Sequence, residues 1–333
     1  MTEESSATSQ LSVAVTTTGM TEITGEATMT SSSSSSRGAE FYFQCAVVVI
    51  GVVGTATNAL ILYALIASKQ HKKHVLIFNQ NALDLFGSLM MAVTYSLKLC
   101  NIHLNRSVGY WLCTLLLNEF LIWCGMVGSV INLASITVER YLKIVHSAWS
   151  KKKLHSWTTY SAVAFSWITS FIYNAALMFP ATTVTDGVCR WSEIGQNDTV
   201  VMANFLLNFV CFYVIVLFIF IFCYWRILLV IRHQAQVMAG HAAAGPSTAQ
   251  TKYNQMQSNI VKTMIFVSAF YAISFLPGYV YMILHPTAHD AGYYASAGLA
   301  YLYTCTNPFV YAAKFDPVKQ VVLRLIRCKS TPE

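Results

Sequence analysis

Of the 333 residues, 55% are hydrophobic and 11% charged, with a net charge of +7; an average soluble domain carries about 25% charged residues. That composition excludes an ordinary water-soluble domain and points to a membrane protein. It also excludes a nucleic-acid binder, because the basic residues stand in clusters beside apolar blocks, where they face anionic lipid.

Residues 1–40 are Ser/Thr-rich, with the run Ser31 to Ser36, and hold nothing able to bury a core, so a disordered extracellular tail is predicted. No positive segment followed by a short apolar stretch stands near Met1, so the first span is expected to act as an uncleaved insertion signal. Seven apolar blocks then follow, at about 43–67, 75–98, 113–138, 157–180, 201–230, 260–284 and 292–313. Each has the length that crosses a bilayer as a helix, and a helix satisfies its own backbone where an isolated strand in lipid cannot. The predicted fold is an all-α bundle of seven transmembrane helices over 41–313. Between and after the blocks, seventeen of the twenty-one Lys and Arg residues fall on one side and only Arg37, Lys98, Arg106 and Arg190 on the other. The richer side is cytoplasmic by the positive-inside rule, which puts the N-terminus outside. The sequons at Asn105 and Asn197 both fall in outside loops and are candidate glycosylation sites.

The loop at about 232–258 is small-residue and Gly/Pro-containing and reads as a flexible linker. Residues 314–333 read as a short amphipathic helix and cytoplasmic tail: Asp316 as N-cap, Pro317 in the first turn, and Val318, Val321, Val322, Leu325 and Ile326 on one face. Cys328 at its end is either a palmitoylation site or an unmodified thiol. Of the nine cysteines most lie inside spans; Cys113 and Cys189 form the candidate disulfide on the oxidising side, with Cys100 as the competing partner.

Charges inside spans cost about 3 kcal/mol each by insertion scales and mark function. Asp84 lies in the middle of the second span and Glu119 near the start of the third, with Asn58, Ser129 and Asn307 as polar residues in other spans. No HExxH or GxSxG motif is present, and His71, His74, His241 and His289 lie in loops where they read as solvated, so an enzyme is not expected. A transporter, the alternative class, would show internal repeats or broken helices; there is no repeat, and Pro277 is the one Pro in the middle of a span.

The motifs form an ordered set: GTATN ending at Asn58, NALD ending at Asp84, Glu139-Arg140-Tyr141 closing the third span, Trp167, Tyr224, Phe275-Leu276-Pro277, and NPFVY from Asn307 through Pro308 to Tyr311. Over about 41–328 the chain resembles a rhodopsin-like (class A) G-protein-coupled receptor. The resemblance implies an extracellular ligand, a heterotrimeric G protein as partner, and arrestin as a second partner that the fold allows. It implies that Arg140 pairs with Glu139 in the inactive state and reaches toward the G protein when the sixth helix swings out, supported by Tyr224 and Tyr311. It further implies a Cys113–Cys189 disulfide, a sodium site at Asp84, Ser129 and Asn307, and a sixth helix kinked by Pro277, which removes a backbone donor. Leu142, Ile144 and Val145 would continue as a docking surface toward Trp149.

The departures from that pattern are equally specific. Phe275 stands in place of a Trp, Tyr271 where a Phe is common, Val216 where the fifth helix usually has Pro, and Tyr303 where Asn is frequent and would serve sodium. Gln257 stands where an acid would bridge to Arg140, and Cys113 is two residues further from Arg140 than usual, so the top of the third helix is expected to be irregular. For the ligand, Tyr301 replaces the Lys that retinal needs and Ile122 replaces the Asp that amines need. The expected pocket holds Lys98, Glu119, Ile122, Met126, Tyr279, Met282 and Tyr301, in which Lys98 and Glu119 either meet the ligand or pair with each other.

Overall fold

The computed structural model describes residues 23–100, 102, 104, 106–192, 197–240, 248–285, 290–314, 319 and 321. The chain divides into Met1–Gly38 and Ala39–Glu333, and the packing below concerns the second part. In chain order the elements are α1 (Ile23–Ala67), α2 (Val75–Leu99), α3 (Arg106–Leu112), a π-helical turn at Cys113–Leu117 and α4 (Phe120–Val145). After these come α5 (Ser147–Lys153), α6 (Ser156–Ala181), β1 (Thr182–Thr185) and β2 (Val188–Trp191). Then follow α7 (Asp198–Asn208), a second π-helical turn at Phe209–Val214, α8 (Ile215–Gly240), α9 (Thr248–Leu284) and α10 (Ala291–Lys314).

The seven blocks map onto seven helical passages. Among the described residues six, from Gly38–Ala67 to Val261–Leu284, are long and apolar enough to cross a membrane. The seventh, α10, runs for 24 residues but spends its apolarity on Ser296, Thr304 and Asn307, all buried. These face protein rather than lipid, which is why hydropathy alone undervalues this helix. The whole bundle is arranged that way. Ile168, Phe218, Ile221 and Ile273 point outward, while Asn58, Gln80, Asn81, Asp84, Ser129, Asn132 and Asn307 are buried, the distribution expected where lipid is the solvent.

Several boundaries differ from the sequence reading. Helix α1 is already formed at Ile23, inside the segment read as a disordered tail; extending a helix outward from a formed span avoids the cost of nucleation. Helices α8 and α9 run to Gly240 and from Thr248, so the linker read at 232–258 is mostly helical, and 241–247 lie outside the described residues. The amphipathic helix read at 314–333, with Cys328, lies outside the described residues apart from Lys314, Lys319 and Val321.

The third passage is irregular where expected. The π turn fits an extra residue into the helix, and Glu119 then takes φ 65° in the left-handed region before α4 restarts at Phe120. That combination absorbs the additional length between Cys113 and Arg140. The fifth passage uses the same device without a Pro, its π turn ending just before Val216. The carbonyl of Phe212 in that turn accepts from the Tyr271 hydroxyl, and the Tyr213 hydroxyl gives to Ala272 O at 3.0 Å, so α9 supplies partners for the widened turn. The chain between α6 and α7 forms an antiparallel hairpin, with Thr185 paired to Val188 across Asp186 and Gly187, whose φ values are 54° and 72°. Two left-handed residues in succession make the turn whose twist matches paired strands.

Helices α2 and α4 touch backbone to backbone at Gly87 and Gly125: a Cβ on Gly125 would lie 2.8 Å from Gly87 Cα and 2.9 Å from Gly87 N. Gly125→Ala is therefore expected to force the helices apart, costing about 1–3 kcal/mol and lowering the melting temperature of the purified protein. Gly278→Ala, where an added Cβ would meet only Ser296 O at 4.0 Å, is the control and should leave it unchanged.

Candidate functional site

Three clusters lie along the bundle, and the third passage contributes to each. At the end that carries β1 and β2, Cys113 is bonded to Cys189, their Cα atoms 5.4 Å apart, while Cys100 is a free, exposed thiol. The bond ties the π turn to β2, and Asn118 Nδ2 adds a hydrogen bond to Thr182 Oγ1 at 2.7 Å. The left-handed turn at Glu119 aims its carboxylate inward. Oε1 accepts from Lys98 Nζ at 2.5 Å and from the Tyr95 hydroxyl at 2.7 Å, and Oε2 accepts from the Tyr301 hydroxyl at 2.8 Å. Lys98 Nζ also sits 4.5 Å from the centroid of the Tyr95 ring, close enough for a cation–π contact. Lys98 and Glu119 pair with each other, and the carboxylate braces α2, the third passage and α10.

Of the other residues expected in a pocket, Ile122 and Met126 are fully buried in the core and Met282 is half-buried. Tyr279 belongs to an aromatic column, 5.4 Å from both Phe209 and Tyr213 and 6.5 Å from Phe275. Phe275 in turn lies 4.8 Å from Tyr271, tilted, and 5.5 Å from Tyr303, edge-on. The column leads from the Glu119 end to the middle of the bundle.

There the second cluster centres on Asp84. Ser129 Oγ donates to Oδ1 at 2.7 Å and Asn307 Nδ2 to Oδ2 at 2.5 Å, so the three residues expected to lie together do. A fourth, Gln80, was not anticipated. One helical turn before Asp84 and on the same face, it directs Nε2 to Ser129 Oγ and toward Asp84 Oδ2 at 3.5 Å. The Tyr303 hydroxyl lies 3.5 Å from Ser129 Oγ. Beyond Gln80 the polar chain continues through Asn132 and Asn79 to Trp167 on α6. A cation here would need lone pairs turned toward it, whereas Ser129, Asn307 and Gln80 turn hydrogens toward the carboxylate, with Asn307 Oδ1 left as an unpartnered acceptor. Among the described residues no three His, Cys, Asp or Glu side chains converge.

The third cluster is at the opposite end of α4. Arg140 is 5% exposed and Glu139 Oε2 lies 3.6 Å from its Nη2, but Glu139 Oε1 is held more closely by Lys143 Nζ at 2.6 Å. From the sequence Glu139 is the one evident restraint on Arg140, and the structure corrects this: His74 Nδ1 stands 3.5 Å from Arg140 Nη2. His74 is no solvated loop residue, since burial first and Arg140 second push it down to about 4, against a raising influence of Glu139 and further lowering by Lys143 and Lys73. It is therefore neutral at pH 7 and can accept from the guanidinium. Tyr224 joins three helices here, its hydroxyl 3.0 Å from Thr137 Oγ1 and 3.0 Å from Ser268 Oγ. Tyr141 contacts His146 Nε2 at 3.1 Å, and Ile144 and Val145 pack on the core. Trp149 is exposed on α5. Pro277 and Pro308 sit inside α9 and α10. The side chains of Gln257 and Tyr311, and Asn105 altogether, lie outside the described residues.

Residues 57–311 match the family model described as "7 transmembrane receptor (rhodopsin family)". The chain belongs to the rhodopsin family of seven-transmembrane receptors. Among similar proteins are the substance-K receptor of Mus musculus, 24% identical over 279 residues (80% of this chain and 69% of that protein), and galanin receptor type 1 of Mus musculus, 23% identical over 305 residues (84% and 81%). Squid rhodopsin shares the fold, with a TM-score of 0.68 and 18% identity, covering 88% of each chain. Membership of a receptor family sets aside the transporter and the enzyme, and implies coupling to a G protein.

Two measurements probe this receptor's end clusters. Glu119→Ala leaves Lys98 and two tyrosine hydroxyls without their acceptor, and the loss of thermal stability should correspond to about 1–3 kcal/mol; a variant as stable as the parent would show that the brace contributes nothing. At the other end, folding holds His74 neutral, so the unfolded chain binds the additional proton. Its contribution is complete above its ordinary value of 6.5 and declines as pH falls toward about 4. In melting curves across that window, His74→Asn should show a shallower loss of stability with acid than the parent.

Proposed function

We propose that the protein is a plasma-membrane receptor whose N-terminus is extracellular, that binds a peptide at the end framed by the Cys113–Cys189 bond, and that activates a heterotrimeric G protein through Arg140. The observation that carries this reading is the third passage. This one passage of the chain holds Glu119 against α2 and α10 at one end and Ser129 against Asp84 at the middle, and at the other end it places Arg140 between Glu139 and His74. A ligand that prefers one arrangement of the first cluster therefore biases the last, and a nearly complete switch needs about 5.5 kcal/mol of differential affinity.

The orientation is supported by the basic residues beside the Arg140 end, Lys151 to Lys153 among them. It is also supported by Asn197, whose Oδ1 caps α7 by accepting from Thr199 N and Val200 N; this leaves Nδ2 of the exposed side chain for a glycan. The ligand class is supported by exclusion and by chemistry. Tyr301 offers no amine to retinal and Ile122 no carboxylate to an amine, and the Lys98–Glu119 pair at the mouth is engaged internally. Recognition then falls to hydroxyls, aromatic faces and the edges of the β1–β2 hairpin, which a peptide backbone engages. The relatives named for substance K and for galanin are consistent with this. Arrestin at the Arg140 end and palmitoylation of Cys328 complete the reading.

Guanine-nucleotide exchange on a co-expressed G protein, screened with peptide and small-molecule libraries, tests the scheme. A peptide that drives exchange in the parent should fail in Arg140→Ala with surface expression retained, whereas undiminished exchange in that variant would remove Arg140 from the mechanism. Activation by small molecules alone would overturn the peptide assignment.

A further inference from the structure

We infer that this receptor closes its mid-bundle carboxylate site to sodium with a group of its own, the amide of Gln80, whose orientation is fixed from Trp167 through a relay of two asparagines. The inference rests on the buried contacts of α2, α4 and α6, and is independent of which ligand the receptor binds.

The partners of each amide fix which end is oxygen and which is nitrogen. An indole N–H can only donate. Trp167 Nε1 lies 2.9 Å from Asn79 Oδ1, so Asn79 must present its oxygen there and its Nδ2 elsewhere. That Nδ2 meets Asn132 Oδ1 at 2.9 Å, which leaves Asn132 Nδ2 to donate to Gln80 Oε1 at 2.8 Å. A second anchor agrees: Asn132 Nδ2 also reaches the Leu76 carbonyl at 2.9 Å, and a carbonyl can only accept. With its oxygen taken, Gln80 must turn Nε2 on Ser129 and Asp84.

The carboxylate then faces three donors: Ser129 Oγ–H on Oδ1, and on Oδ2 the amide groups of Asn307 and, at 3.5 Å, Gln80; of these side chains' acceptors, Asn307 Oδ1 is the one left without a partner. A hard cation binds through several oxygen lone pairs. To admit one, Gln80 would have to rotate, and that would oppose its oxygen–donor match with Asn132 and pass the mismatch back toward Trp167. Asp84, Gln80, Ser129 and Asn132 are all within 1% of complete burial, where an unmatched polar group costs most. The Tyr303 phenol is completely buried beside Ser129, its hydroxyl 3.5 Å from Ser129 Oγ.

Thermal unfolding of the ligand-free receptor in nanodiscs, in NaCl against choline chloride at equal ionic strength, reads this directly. The parent should show no sodium-dependent shift. Gln80→Leu, which removes the competing donor, should gain a saturable rise of about 3 °C at sodium some ten times its Kd. Trp167→Phe, which touches neither Asp84 nor Gln80 but releases the relay, should gain part of that rise. In both variants the gain should vanish on adding Asp84→Asn. A saturable sodium shift in the parent that Asp84→Asn abolishes overturns the inference, as does a Gln80→Leu receptor that stays insensitive. Should Gln80→Leu not be recovered folded, Gln80→Met supplies the same comparison. Because no ligand or G protein enters the measurement, a negative result here leaves the proposed function standing, and failure of nucleotide exchange leaves this inference standing.

Discussion

A carboxylate placed where neither water nor lipid headgroups can reach it is the constraint on which the bundle depends. Asp84 is 1% exposed, and removing it from water costs several kcal/mol unless donors replace the hydration shell. The donors come from α4, α10 and its own helix, so the three helices must meet at that depth and in that rotation. The glycine contact between α2 and α4 at Gly87 and Gly125 brings the backbones close enough for the side chains to reach. Packing in a membrane has little hydrophobic drive between helices, and close small-residue contacts with interhelical hydrogen bonds take its place.

The third passage distributes this constraint along the molecule. A non-glycine residue at positive φ costs of order 1–3 kcal/mol and persists where its surroundings over-determine it. Glu119 is held there by a lysine and two tyrosines, and by the π turn that the Cys113–Cys189 bond anchors. The irregular turn therefore positions a charge between helices, which a regular helix of the same length would have pointed elsewhere.

The Arg140 end is held more lightly. Glu139 is nearer Lys143 than Arg140, and the second neighbour of Arg140 is a neutral imidazole rather than a carboxylate. A guanidinium restrained by one distant acid and one neutral acceptor is easier to release than one in a bidentate ion pair.

Much of this was written in the sequence by itself. Span number and register follow from summed local apolarity, the orientation reading from the placement of Lys and Arg, and the irregular third helix from counting residues between Cys113 and Arg140. These are properties of one segment at a time, so one dimension suffices. Even the hairpin had its signal, Asp186-Gly187, which an all-helical reading passed over. Which groups meet was decided only by the tertiary structure. The sequence left Cys113 and Cys100 as rivals for Cys189, left Lys98 and Glu119 between each other and a ligand, read His74 as solvated, and gave no sign that Gln80 would face Asp84 amide-first. Each of those outcomes depends on the relative rotation of segments that lie tens or hundreds of residues apart. The direction of a buried amide depends further on a donor two hydrogen-bonded partners away, at Trp167, and no local pattern encodes it.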